Sequence, residues 1–278
     1  MTGLTWLASY PKSGNTWARL FLQSLAKDGA AVDINFEDDR PSGVGPRAEF
    51  DRFLGVDSSD LSCDEVESAR PRLYEMMAAD DPTMLPLKVH DAWLETAAGE
   101  PLFPPAATAG AIYVVRDPRD VAVSLAHHLG IAIDAAIDMM GKSDTRFGQT
   151  GDTHFGLQVR QRLGSWSQHV TSWLGAPIRL FAMRYEDMVS DPEAIFGALA
   201  ESLGWSASPE AVARAIASTR FDELRRQEDA SGFIERSPRA ANFFRRGKAG
   251  GWKDSLNGEQ VARIEGDHGV VMARLGYL

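Results

Sequence analysis

Four short stretches of this 278-residue chain hold residues able to grip an anion or move a proton. Tyr10 to Trp17 (YPKSGNTW) sets Lys12 and Ser13 ahead of a single Gly14, with Asn15 and Thr16 leading into an apolar-periodic run. A lysine, two hydroxyls and the main-chain N–H groups of a helix start are what a phosphate-sized anion requires. The nucleotide-binding form G-x-x-x-x-G-K-[ST] has its glycines before the lysine, so this loop is ordered differently, and a plain strand-to-helix turn fits it too. Pro86 to Trp93 (PLKVHDAW) carries Lys88 and His90, which strand alternation turns to one face. A cation beside a group that titrates near neutrality suits proton transfer with charge stabilisation. A partly exposed strand end fits the same letters. Tyr113 to His128 (YVVRDPRDVAVSLAHH) offers Arg116 where a buried strand ends and Ser124 two helical turns later, a guanidinium and a hydroxyl for a second phosphate. Arg119, Asp120, His127 and His128 are expected to face solvent or neighbouring helices. Phe243 to Asp254 (FFRRGKAGGWKD) adds Arg245, Arg246, Gly247 and Lys248, which read as an anion clamp or as a basic surface loop. Tyr185, in MRYEDM, fits a core aromatic with its hydroxyl at the surface.

The elements that must position these residues follow from periodicity and punctuation. Leu4 to Ser9 reads as a short strand, and Asn15 to Lys27 as a helix with Trp17, Leu20, Phe21 and Leu25 on one face and Gly29 after its end. Leu87 to Val89 and Gly110 to Val115 read as strands, the second buried on both faces. Asp117-Pro118 starts a helix with aspartate as cap and proline in the first turn. The same punctuation recurs at Asp191-Pro192, after the apolar run Ile178 to Met183, and at Ser208-Pro209. Residues 30–60 read as a long surface excursion, 229–256 as a long irregular segment of the functional kind, and Gly258 to Leu275 as a closing helix. Strands followed by capped helices predict an α/β fold: one domain over 1–278, with a central, mainly parallel sheet flanked by helices and ligands beyond the carboxyl ends of its strands.

Composition narrows the function. Hydrophobic residues make up 44% of the chain, enough for a large core. A single cysteine, Cys63, excludes an internal disulfide, no charged-then-apolar leader is visible, and no apolar run reaches a membrane span, so a cytoplasmic protein without membrane insertion is expected. A net charge of −10 works against nucleic acid as partner, although screening lets a local basic pocket hold a small anion. No His/Cys or carboxylate metal motif is present, so no metal is expected.

The order and joint presence of these motifs resemble one family, the sulfotransferases that use 3′-phosphoadenosine 5′-phosphosulfate (PAPS) and release the 3′,5′-bisphosphate PAP. YPKSGNTW is similar to the family's 5′-phosphosulfate loop YPKSGTTW, with Asn15 replacing threonine. LKVHDAW resembles the strand bearing the catalytic histidine, with Val89 replacing the threonine of Lys-Thr-His. The segment 113–128 resembles the 3′-phosphate segment, its arginine and serine matching Arg116 and Ser124. RYEDM is similar to the stretch whose tyrosine, here Tyr185, lies near the adenine. FFRRGKAGGWK resembles the late Arg-Lys-Gly-x-x-Gly-Asp-Trp-Lys segment, with Arg246 for lysine and Gly251 for aspartate. Beyond Lys253 the chain departs from the dimer motif Lys-x-x-x-Thr-Val-Glu of many animal cytosolic members.

The resemblance runs from about residue 4 to 253 and implies the P-loop-like sulfotransferase fold. It implies Lys12, Ser13, Gly14, Asn15, Thr16, Trp17, Arg116, Ser124, Tyr185, Thr219, Phe221, Arg245, Arg246 and Gly247 as donor-binding residues, with Trp17, Thr219 and Phe221 flanking the adenine. It also implies a catalytic set: Lys12 at the leaving oxygen, His90 taking the acceptor's proton and Lys88 steadying the transferring oxygens. The acceptor it implies is a small organic molecule with a hydroxyl or, less readily, an amine, with 30–80 and 130–165 as the variable regions that build its pocket, the latter as a lid or as plain core packing. The loop order and the short chain look more like bacterial small-molecule enzymes than Golgi ones. Two other readings stay open: a P-loop kinase acting on a small molecule, which the missing Gly-Lys-Ser/Thr order opposes, and an idle bisphosphate-binding protein with no use for Lys88 and His90.

Overall fold

The computed structural model describes residues 3–35, 43–81, 85–148 and 158–278. Among the described residues, six strands form: β1 (Leu4–Ser9), β2 (Leu87–Val89), β3 (Thr108–Val115), β4 (Arg146–Phe147), β5 (Gln161–Arg162) and β6 (Leu180–Arg184). The central sheet runs β2-β1-β3-β6, with β1 and β2 parallel and Trp6, Leu7 and Ala8 opposite Leu87, Lys88 and Val89. β4 and β5 make a separate antiparallel pair. The run of apolar residues in β1 and β3 is buried almost throughout, as a sheet covered on both faces requires.

Helices follow the expected punctuation. α1 (Asn15–Leu25) begins at the phosphate-type loop, and α4 (Pro118–Leu129) begins at Asp117, whose carboxylate accepts from the Arg119 N–H. α8 (Pro192–Ser202) and α9 (Pro209–Ser218) are capped by Asp191 and Ser208, each with proline in the first turn. α11 (Gly258–Arg274) closes the chain. Where residues 30–60 read as irregular, the structure instead forms α2 (Arg47–Leu54) and a 3-10 turn at Ser58–Asp60. α2 has no side-chain cap and buries only Phe50, so its sequence carries little helical signature. The same reading left out α3 (Cys63–Asp80) and α6 (Trp166–Leu174), each begun by a capping box, Ser62 with Glu65 and Ser165 with Gln168. α5 (Ile133–Gly141) buries Ala136, Ile137 and Met140 and packs on α4 and α11. α7 (Tyr185–Ser190) and α10 (Phe221–Ser231) complete the set. Parts of the variable regions 30–80 and 130–165, namely 36–42 and 149–157, lie outside the described residues.

Two compact units emerge, each assembled from separated segments: the described residues of 1–10, 38–113 and 142–182, and those of 11–37, 114–141 and 183–278. The first holds most of the sheet and a cluster of aromatic rings. Phe103 lies 5.1 Å from Trp6, 5.3 Å from Trp93 and 5.1 Å from Trp173, centroid to centroid, and Trp6 meets Tyr74 edge-on at 4.9 Å. Such contacts combine large apolar burial with fixed orientation. In the second unit Phe21 stacks on Phe196 at 4.1 Å, and Leu20, Ile34, Leu224, Phe233 and Phe244 form a core that seats the late irregular segment.

Candidate active site

Lys88 and His90 stand at the end of β2, half-buried, while Leu87 and Val89 between and before them are buried, which is the expected alternation. The His90 imidazole places Nδ1 2.8 Å from the Ser9 carbonyl oxygen at the end of β1. A carbonyl only accepts, so Nδ1 carries the hydrogen, and in the neutral ring Nε2 keeps the lone pair. Asp91, a conceivable rival base beside it, is fully buried and committed. Its carboxylate takes a two-point grip from Arg70, at 3.1 and 2.5 Å, and accepts from the Arg162 N–H at 2.8 Å.

The anion loop belongs to the second unit. Lys12 has φ of 71° and Gly14 of 106°, so two of three consecutive positions lie in left-handed backbone. Left-handed positions so closely spaced are a backbone feature of anion nests. The Ser13 hydroxyl is buried with no hydrogen-bond partner among the described residues, an orphan that an oxyanion would satisfy. Gly14 lies against the Tyr185 ring, where a Cβ would come within 2.7 Å of Cδ2, so this loop order admits only glycine there. Asn15 and Thr16 are buried in the first turn of α1, and Thr16 Oγ1 donates to Glu235 at 3.3 Å. Trp17 meets Tyr185 edge-on at 6.1 Å.

Arg116 connects these parts. Its guanidinium donates to the Lys12 carbonyl at 3.2 Å and the Lys248 carbonyl at 3.0 Å, and lies 4.2 Å above the Tyr185 ring. The same loop end carries the Lys12 ammonium 3.9 Å from the centroid of Phe243. Burial, together with the nearby Arg246 and Arg116 charges, pushes the Arg245 guanidinium below its ordinary range. Arg245 is thus repelled by two arginines in a partly desolvated place, only partly offset by Asp120, an electrostatic condition that an anion relieves. Gly247, at φ of 60°, faces Phe221 so closely that a Cβ would come within 2.2 Å of the ring. Ser124 is half-buried two turns into α4. Thr219 is fully buried, and its hydroxyl donates to the Ala215 carbonyl at 2.8 Å, at the end of α9.

Several residues that hold this site carry no local signal. Asp120 was expected to face solvent or a neighbouring helix; it is buried and accepts from the Gly250 and Trp252 N–H groups at 2.7 and 2.8 Å, so it anchors the late loop. Arg119 is buried too, paired with Asp117 and with Glu265 of α11. Glu228 accepts from the Phe243 and Phe244 N–H groups at 2.6 and 2.9 Å, and Glu235 pairs with Arg19 at 2.5 Å. His127 donates from Nε2 to the Asn242 carbonyl at 3.0 Å. Apart from Asp117, their partners are 15 to 216 residues away in sequence, beyond the reach of motif or periodicity.

A family model described as a sulfotransferase domain matches residues 4–276, and the chain belongs to that family. Cytosolic sulfotransferase 1 of Arabidopsis thaliana is 24% identical over 274 residues, covering 93% of this chain and 75% of that protein. Sulfotransferase 1A1 of Canis lupus familiaris is 26% identical over 278 residues, covering 97% and 83%. Among solved structures, retinol dehydratase in complex with androsterone and the inactive cofactor PAP matches with a TM-score of 0.61 at 19% identity, over 96% of this chain and 80% of that one. Mouse sulfotransferase SULT7A1 complexed with PAP matches at 0.60 and 19% identity, over 98% and 84%. The protein is a PAPS-dependent sulfotransferase that moves a sulfuryl group from this donor to an acceptor. Among the described residues no single helix is long and apolar enough to cross a membrane.

Proposed function

We propose that the acceptor is a small organic molecule with a hydroxyl group, or less readily an amine, and that His90 is the general base. The observation that carries this reading is the 2.8 Å contact from His90 Nδ1 to the Ser9 carbonyl, which puts the hydrogen on Nδ1 and the lone pair on Nε2, the form a general base needs. When bound, the donor supplies a sulfuryl group joined to a phosphate through the oxygen that leaves. As the acceptor oxygen bonds to sulfur, His90 Nε2 takes its proton, and Lys88, one alternation earlier on β2, steadies the transferring oxygens. Lys12 and the N–H groups of its left-handed turn offset the charge that collects on the leaving oxygen. Arg116, Arg245 and Arg246 hold the 3′-phosphate with Ser124, and Ser13, Asn15 and Thr16 hold the 5′ end. Tyr185, Trp17, Phe221 and Gly247 supply the aromatic and close-packed surfaces for the adenine, with Thr219 shaping the end of α9 beside them. That retinol dehydratase is described in complex with androsterone, and also with retinol, supports an apolar acceptor class. Relatives named as cytosolic support a cytoplasmic setting.

His90→Asn keeps a polar group of similar reach and removes the base. Turnover with a phenol or sterol acceptor panel falls by about 10²–10⁴-fold, while PAP binding measured by calorimetry stays near wild type. Unchanged turnover in this variant removes His90 from the role.

A further inference from the structure

The turn after β2 is held by one face of α6. His169 and Trp173, one helical turn apart, each donate from a ring nitrogen to one of two successive carbonyls: His169 Nε2 to His90 at 3.0 Å and Trp173 Nε1 to Asp91 at 2.9 Å. The neighbouring amides are tied as well. Ala92 N–H donates to the Arg162 carbonyl at 2.8 Å, and Trp93 N–H donates to Ser172 Oγ at 3.0 Å. Ser172 Oγ in turn donates to the His169 carbonyl at 2.9 Å, so α6 grips this turn at residues 90, 91 and 93.

His169 itself is fully buried, and its protonation state follows from its partners. Because the His90 carbonyl only accepts, His169 Nε2 bears the hydrogen; its Nδ1 therefore accepts, and the Tyr113 hydroxyl donates to it at 2.9 Å. Burial holds the imidazole down at about 4, so the ring is neutral over the range in which an acceptor hydroxyl is deprotonated with the help of a base. The two histidines thus carry opposite tautomers: His90 with hydrogen on Nδ1 and His169 with hydrogen on Nε2. One side of residue 90 is pinned through its side chain to Ser9 and the other through its carbonyl to His169.

We infer that His169, held by Tyr113, is a positioning residue that keeps the His90 imidazole on the Ser9 carbonyl and so maintains Nε2 as the proton acceptor. The inference rests on the reading of His90 as base, and it adds a second histidine that never touches the reacting atoms. Without the His169 donor the His90 carbonyl loses this 3.0 Å contact, and the turn can relax away from α6. The ring then leaves the geometry set by β1, and misplacement of this kind costs turnover rather than donor binding.

Two readouts on the full chain test it. Long-range 1H–15N correlation spectra report the tautomer of each of the six histidines. Wild type gives His90 with hydrogen on Nδ1, His169→Phe gives a mixture at His90, and His169→Gln, which retains a donor and an acceptor, restores the wild-type form. In parallel, His169→Phe lowers kcat by about ten- to a hundredfold, moves the acidic limb of the kcat–pH profile and leaves PAP affinity near wild type; His169→Gln recovers most of the loss. Tyr113→Phe removes only the hydroxyl and serves if the phenylalanine variant at 169 does not fold: it shifts the His169 spectrum and lowers kcat by a smaller factor. The inference falls if the His90 tautomer and kcat are unchanged in His169→Phe or, where that variant does not fold, in Tyr113→Phe. It falls equally if His169→Phe loses kcat and PAP affinity together with no rescue by glutamine. If His90→Asn keeps full turnover while His169→Phe still redistributes the His90 tautomer, the base assignment has failed and the positioning stands.

Discussion

In the turn after β2, the carbonyls of His90 and Asp91, the Asp91 carboxylate and the amides of Ala92 and Trp93 all have partners within the first unit. In the loop after β1, the Ser13 hydroxyl and the Trp17 indole N–H are buried without a hydrogen-bond partner among the described residues, and Lys12 adopts left-handed backbone. Left-handed backbone costs a non-glycine residue on the order of 1–2 kcal/mol. The first region is complete as protein alone, whereas the second stores unsatisfied donors, backbone strain and crowded arginines. The difference matches the two tasks proposed for these regions. A general base must be aimed before the acceptor arrives, and its aim comes from a closed network. A site for a polyanion gains affinity by being finished by the anion itself, because each orphan donor and each repelled cation is relieved on binding.

The closed region is broken most severely at its buried charge pair. Asp91→Ala leaves the fully buried Arg70 guanidinium without its carboxylate, and a stability loss of about 3–5 kcal/mol is expected from urea unfolding. A loss below about 1 kcal/mol, the ordinary worth of an exposed pair, means that the turn is held by α6 and the backbone alone.

Proton uptake sharpens the contrast at the next scale. His169 is held at about 4 when folded and returns to about 6.5 when unfolded. Between these values the unfolded chain binds a proton that the folded chain refuses, so stability rises with pH through this window and falls as pH drops from about 6.5 to about 4, by up to about 3 kcal/mol from this residue. His268, also pressed to about 4 by burial, acts in the same direction. Urea unfolding at pH 7 and pH 4.5 isolates the His169 share as the difference between wild type and His169→Gln, which has no imidazole to protonate. Equal slopes in the two proteins contradict a neutral, desolvated His169.

The open region responds more gently and in two directions. Arg245→Ala removes the charge-assisted contact proposed for the 3′-phosphate, worth roughly 1.5–3 kcal/mol, so PAP affinity falls about tenfold or more while AMP, without that phosphate, is affected less. Relief of repulsion from Arg116 and Arg246 leaves the ligand-free melting temperature equal to or above that of wild type. Calorimetry showing equal losses for PAP and AMP, or a lower melting temperature, makes Arg245 a structural residue.

Much of the fold around the proposed donor loop was legible because its signals are local. YPKSGNTW between a strand and an apolar-periodic helix, and Asp-Pro or Ser-Pro ahead of α4, α8 and α9, state element type and boundary within a few residues. Alternation in LKVH correctly set Lys88 and His90 on one face. α2 escaped because a helix with one buried side chain and no cap has nothing for periodicity to find. Asp120 escaped for another reason: an aspartate among Arg-Asp-Pro-Arg-Asp reads as helix-start charge, and only the return of the chain at Gly250 and Trp252 makes it a loop anchor.

The order of residues by itself determined the family and the strand-loop-helix around Lys12, since these depend on spacing within one or two elements. Tertiary structure alone decided which nitrogen of His90 carries hydrogen, that Asp91 is locked in an ion pair rather than available as a base, and that Glu235 takes Thr16 and Arg19. These depend on partners 81, 21 and 219 residues away. A tautomer or a buried charge state is set by the acceptor within about 3 Å, and chain folding, not chain order, chooses that neighbour.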